Sequence, residues 1–302
     1  MSEQLHASKV PLKAIWDLRQ FPITFDFAVF LSVLDCYRQI HRPEAGIDLT
    51  IRADAFRAVT PRDKAMSVEE KRWRLKSIIL DLCALLPTIE SLAVTTRDPG
   101  PFEFPSALKR APHYAKRAVE LFREGANPQV LKAPLYAVQQ IRFPRPYVTM
   151  TLRTSNYFPD RNADLHTWHR FSKFIQAAGY TVVIVPDQGD LFGERLYSQF
   201  DWSGTIYEAA CLDLRLRLAL YENADMNIGS SNGPVGMMFY SQAPLLQFDQ
   251  LRGGVYNREF WEKSHGFPVG EQFPWCRPDQ RLVWTDSSYE NMVNEWTAWK
   301  SR

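Results

Sequence analysis

Two hydrophobic rhythms alternate along this chain, and the second half carries them most plainly. Residues 147–152 (YVTMTL) form a β-rich run ending at Arg153. After a polar turn, Leu165, Trp168, Ser172, Ile175 and Ala178 recur at helical spacing and predict a helix over 162–178, ended by Gly179. Residues 180–185 (YTVVIV) are a continuous β-branched run, the pattern of a parallel strand buried on both faces. In 205–222 the leucines at 212, 214, 216, 218 and 220 alternate as in a strand. About eighteen residues without a turn signal exceed most strands, so a helix is expected there. A short strand (224–228), a small-residue turn (Gly229-Ser230-Ser231-Asn232-Gly233), a helix from Pro234 and a strand (243–248) follow. Strand and helix in alternation are the signature of a doubly wound parallel sheet.

The first half repeats this grammar more weakly. Residues 23–25 read as a short strand leading through Asp26 into an apolar helix, 27–40. Gly46 precedes a strand at 47–52. An amphipathic helix over 67–86 opens at Ser67, with Glu70 three places on as in a capping box, and stops at Pro87. Residues 91–95 predict a third strand, and 96–112, with four prolines, a loop. The proline-rich stretch 125–146 is the expected linker, dividing the chain into domains 1–145 and 146–302. A helix over 287–299 closes the chain.

Composition narrows the function classes. The 302 residues allow two domains, and 45% hydrophobic with 23% charged residues is the content of a soluble globular protein. A net charge of +2, with both signs interspersed, argues against a nucleic-acid partner. No stretch has the ~18 apolar residues of a membrane span, which leaves only peripheral membrane contact. The first twenty residues lack an apolar signal core, and four dispersed cysteines without a CxxC pair suit a reducing compartment, so a cytoplasmic protein is expected. His166 and His169 share a helix face without a third ligand, so no metal site is expected. P-loop and GxGxxG motifs are absent.

The 229–233 turn is where chemistry is best indicated. Its glycines let the backbone turn sharply, Ser231 or Asn232 can cap the helix, and Pro234 suits its first turn. Unpaired N–H groups and the positive end of a helix dipole make such a turn a phosphate or anion site.

The order of these motifs over 147–248 (strand ending in Arg, helix, VVIVPD, helix, strand, GSSNGP, helix, strand with PLLQF) resembles the donor-binding half of heptosyltransferase-like and fucosyltransferase-like GT-B glycosyltransferases. It covers about a third of the chain. The resemblance implies an α/β fold of two Rossmann-like doubly wound domains facing a cleft. It further implies transfer of a sugar from a nucleotide-diphosphate donor to a glycan or glycoconjugate acceptor, without a metal or other cofactor, the diphosphate being held by the C-terminal domain. In that frame Arg153 grips the diphosphate and stabilises the leaving charge, with Arg161 as a second cation. Ser230, Ser231, Asn232 and Gly233 surround phosphate oxygens, and Asp187 accepts a ribose or sugar hydroxyl. Asp26 is the candidate general base and Asp54 the runner-up. The bland alternatives are an ion-paired Arg153, a turn Asp187 and a helix-capping Asp26. TLRTSN lacks the acidic and basic residues that follow this Arg in fucosyltransferase-like enzymes, and the turn at Asp26 lacks glycines. A nucleotide-sugar epimerase and a non-catalytic binding protein of the same architecture are the rival readings.

Overall fold

A computed structural model describes residues 10–104, 112–155, 157–187, 196–202, 204–252 and 257–301. The chain divides into two compact units, 1–131 with 264–266, and 132–263 with 267–302.

The first unit is built on three parallel strands, β1 (Leu12–Asp17), β2 (Ile47–Arg52) and β3 (Ile89–Thr95), in that spatial order. The expected strand at 23–25 does not form. Pro22 has no N–H for a ladder, whereas Leu12–Asp17 pairs along its whole length with β2, from Leu12↔Ile47 to Asp17↔Arg52. Leu12, Ala14 and Trp16 are fully buried, and Trp16 packs 4.5–5.1 Å from the rings of Phe21, Phe27 and Phe30. Those last two phenylalanines belong to α1 (Asp26–His41), whose apolar residues surround most of its circumference and are buried accordingly.

Thr60, ahead of α2 (Pro61–Ala65), forms a reciprocal capping box with Asp63. At Ser67 only half of the expected box is present: its hydroxyl accepts the Glu70 N–H at 3.0 Å. The helix there runs as α3 (Val68–Arg74), a π-helical stretch Leu75–Leu80 and α4 (Asp81–Cys83). Within the expected loop, Phe104 bridges to Ala14 of β1, and 105–111 lie outside the described residues. An unforeseen helix, α5 (Pro112–Arg123), packs on α1.

The second unit holds six parallel strands: β4 (Tyr147–Thr151), β5 (Thr181–Val185), β6 (Thr205–Ile206), β7 (Met226–Ser230), β8 (Leu245–Phe248) and β9 (Gln280–Leu282). Their spatial order is β6-β5-β4-β7-β8-β9. Counted within the unit this is 3-2-1-4-5-6, the doubly wound order, with its switch point between β4 and β7. The helices are α6 (Leu135–Val138), α7 (Leu165–Ala177), α8 (Ala209–Leu212), α9 (Leu214–Asn223), α10 (Gly233–Gly236), α11 (Arg258–His265) and α12 (Tyr289–Lys300). The alternating leucines do form helix, broken at Asp213, whose carboxylate caps α9 by accepting the Arg215 and Leu216 N–H groups. Trp168, Phe171 and Ile175 of α7 and Met292 and Trp296 of α12 join the strands in one buried core.

The units part at Leu131 rather than at residue 145. Residues 132–145 are tied into the second unit by hydrogen bonds. The Ala133 N–H donates to the Glu222 carboxylate at 3.1 Å, Arg145 donates to the Asn223 carbonyl, and α6 packs on α9. Prolines in this stretch break helices without making it a free tether.

Candidate active site

At the switch point the carboxyl ends of β4 and β7 lie side by side, Thr151 opposite Gly229. The strand β7 runs two residues further than its sequence suggests, so Gly229 and Ser230 are ladder residues. A Cβ on Gly229 would come 2.6 Å from Val235 Cγ2 and 3.3 Å from the Thr151 carbonyl oxygen. Glycine is needed there so that α10 can pack close to the strand ends. Ser230 is fully buried and its hydroxyl has no hydrogen-bond partner. Closed off from solvent, that side chain cannot make the phosphate contact expected of it. Asn232 is the cap: its Oδ1 accepts the Val235 N–H at 3.0 Å, which commits the side-chain oxygen to the helix. Among the described residues the amides of Ser231, Asn232 and Gly233 meet no acceptor, and Gly233 is exposed.

Arg161 reaches this turn. It ends the 3₁₀ turn Pro159–Arg161 between β4 and α7, and its Nη2 donates to the Ser231 carbonyl at 2.6 Å. Arg153 is placed differently from its expected role. It is buried, and its Nη1 donates to the Phe158 carbonyl at 3.0 Å and to Asn162 Oδ1, while Nη2 donates to the Tyr157 carbonyl. These bonds tie down the loop that presents Arg161. Its head group is taken up by this loop and is not open to a ligand as expected.

Asp187 follows β5 and Pro186, is half-buried, and accepts the Thr154 N–H at 3.4 Å, which brings it beside the chain leaving β4. Behind this turn lies a buried group that sequence reasoning missed. The Cys211 thiol donates to the Pro186 carbonyl at 2.8 Å, Arg217 Nη2 lies 3.3 Å from the same oxygen, and the Tyr221 hydroxyl is 2.7 Å from Thr151 Oγ1. Burial opposes the Arg217 charge, but Tyr221, Cys211 and Asp187 hold its pKa above the ordinary value. Burial raises that of Tyr221.

In the first unit, Asp26 is the first residue of α1, exposed, and accepts the Thr24 hydroxyl at 2.8 Å. The N-cap position is Phe25, with no side-chain capping bond, so Asp26 is not a cap. Asp54 is held 3.1 Å from Arg52 and 3.7 Å from Arg19. The Arg52 hydrogen bond keeps its carboxyl below the usual range. Arg19 also grips the buried Asp17 at 2.6 Å, and Arg52 lies 3.6 Å from Asp98, so the carboxyl ends of β1 and β2 carry an ion network in which Asp54 is a member.

A cavity of about 370 Å³ opens near the ends of β8 and β9, lined by Asp164, Thr167, Asp249, Arg252, Trp284 and Ser287 among others. Asp249 takes a left-handed conformation (φ 61°) held by the Ser287 N–H and hydroxyl. Among the described residues no His, Cys, Asp and Glu cluster could hold a metal, and no helix is long and apolar enough to cross a membrane.

No family model and no curated protein matches this chain. Solved structures do. A glycosyl transferase of family 9 from Veillonella parvula superposes with a TM-score of 0.52 at 10% identity, covering 98% of this chain and 99% of that one. The ADP-heptose lps heptosyltransferase II of E. coli gives 0.51 at 12% identity, over 97% and 98%. The chain has the GT-B-like fold of these glycosyltransferases, two Rossmann-like α/β units in the same order along nearly the whole length.

Proposed function

We propose that the protein is a glycosyltransferase that moves a sugar from a nucleotide-diphosphate donor to a glycan or glycoconjugate acceptor. The observation that carries this reading is the Arg161–Ser231 bond across the β4/β7 switch point, beside amides with no acceptor of their own. Open α/β sheets bind ligands at this point. A guanidinium and convergent N–H groups there suit a diphosphate. The shared fold with family 9 glycosyltransferases supports the same conclusion at the level of architecture.

In the mechanism, the acceptor hydroxyl attacks the donor's anomeric carbon as the bond from that carbon to the phosphate oxygen breaks. Negative charge grows on the departing diphosphate. Arg161 and the Ser231–Gly233 amides stabilise it, with Arg153 holding the loop that carries Arg161. Asp187 accepts a sugar hydroxyl of the nucleotide. The hydroxyl proton passes to Asp26, whose exposed carboxylate opens α1. Cytoplasmic action and a donor without metal belong to the same proposal.

The test is incubation with a panel of nucleotide sugars and glycan acceptors, read by mass spectrometry. A product heavier by one sugar residue, formed together with free nucleoside diphosphate, supports transfer. An isomerised donor with no product would indicate the epimerase.

A further inference from the structure

Asp187 stands at the end of β5 with a single hydrogen bond, from the Thr154 N–H at 3.4 Å, and no ion pair among the described residues. Immediately behind it, two donors converge on one oxygen. The Cys211 thiol reaches the Pro186 carbonyl at 2.8 Å and Arg217 Nη2 reaches it at 3.3 Å.

Arg217 is the anomaly. It is 4% exposed, its Nε has no partner, its other contact is the Cys211 sulfur at 3.6 Å, and no carboxylate lies within ion-pair distance among the described residues. A buried guanidinium without a paired carboxylate is strongly unfavourable for the fold alone. Its neighbours on α9, Leu214, Leu218 and Leu220, are buried and show that an apolar side chain would suit the packing. What the arginine does that a leucine could not is hold the carbonyl preceding Asp187 and place a positive charge within electrostatic reach of that carboxylate.

We propose that Arg217, with Cys211, is a positioning residue that presents the Asp187 carboxylate to the ribose diol of the donor nucleotide. The inference rests on the nucleotide-sugar reading above. A carboxylate at the end of the second strand of a doubly wound sheet can accept both hydroxyls of a vicinal diol. It can do so only if its backbone is fixed. Fixing the Pro186 carbonyl fixes the peptide plane that leads into Asp187, and the Arg217 and Cys211 donors are the groups that fix it.

The test measures discrimination between ribose and 2′-deoxyribose. ADP, GDP, UDP and CDP are titrated calorimetrically into the protein, and the tightest binder is compared with its 2′-deoxy form in the wild type, Asp187→Asn, Arg217→Met, Arg217→Lys and the double variant Asp187→Asn/Arg217→Met. The wild type should favour the ribose form by about tenfold or more, because a polar group built for a hydroxyl is left unpaired without it. Asp187→Asn and Arg217→Met should each bring the ratio toward one, and the double variant should go no further than either. Arg217→Lys keeps the buried charge but changes the donor geometry, and should lower the ratio while staying folded by circular dichroism. It decides the matter if Arg217→Met does not fold. A folded Arg217 variant with the full ribose preference overturns the positioning role. So does an undiminished ratio in Asp187→Asn, or a wild type that binds a nucleoside diphosphate without ribose preference. A wild type that binds none of the four overturns the donor reading itself.

Discussion

Arg161 Nη2 donates to the Ser231 carbonyl at 2.6 Å and thereby joins the loop after β4 to the turn after β7. One bond spans the switch point. It sets a guanidinium beside the amides of Ser231, Asn232 and Gly233, and a cation next to such N–H groups suits a diphosphate. Arg161→Ala should weaken binding of a nucleoside diphosphate about tenfold or more, since a charge-assisted contact contributes roughly 1.5–3 kcal/mol. The melting temperature should fall little, because the residue is only half-buried. Unchanged affinity by calorimetric titration would remove Arg161 from the site.

Gly229→Ala tests the close approach of α10 to the strand ends. The added methyl would meet Val235 Cγ2 at 2.6 Å and the Thr151 carbonyl oxygen at 3.3 Å. Overpacking of this kind destabilises by about 1–3 kcal/mol, and the turn should shift with the helix. Denaturant unfolding should show that loss together with weaker nucleotide binding. A variant as stable as the wild type would mean that the strand ends are looser than the structure shows.

Glu222 gives a pH dependence of defined sign. Burial pushes its carboxyl up to about 7, against the ordinary 4.5, while the Ala133 N–H and Lys132 act in the opposite sense. The folded protein therefore holds this proton more tightly than the unfolded chain does. The associated stabilisation is fully present below pH 4.5 and is lost as pH rises through about 7. Glu222→Gln keeps an acceptor for the Ala133 N–H and removes the titration. Melting temperatures of the two proteins should converge at acid pH and separate above neutrality, with the Gln variant the more stable. Parallel curves would contradict the raised carboxyl.

Asp26→Asn separates catalysis from binding. If Asp26 takes the acceptor proton, the variant should bind donor normally and turn over slower by a factor on the order of 10² to 10⁴. Helix α1 should be unaffected, because no Asp26 capping bond exists to lose. Full activity would reassign the base, and Asp54, already engaged by Arg52 and Arg19, would be tested next.

Strands buried on both faces were legible in the sequence because burial leaves one signal, an unbroken β-branched run, as in TVVIV of β5. The first strand was not. LKAIWD mixes Lys13 and Asp17 among its apolar positions, and only its pairing with β2 distinguishes it from the equally apolar loop around Ile23. At the site, the small-residue turn was readable from Gly229 and Asn232. The occupation of Arg153 was not, because two of its acceptors are the backbone carbonyls of Tyr157 and Phe158, which a side-chain pattern cannot report. Arg217 was hidden by its setting. On the helix expected over LRLRLAL it falls three places after Leu214, on the buried face, where an arginine is not anticipated.

The central claim, a diphosphate site at the β4/β7 switch point, is tested most directly by calorimetric titration of one nucleoside and its mono- and diphosphates for each of adenosine, guanosine, uridine and cytidine. The account predicts one base for which affinity rises with each phosphate, at a stoichiometry of one per chain, the gain from the second phosphate being lost in Arg161→Ala. A diphosphate that binds no better than its nucleoside, or an unaltered gain in the Arg161 variant, would contradict it.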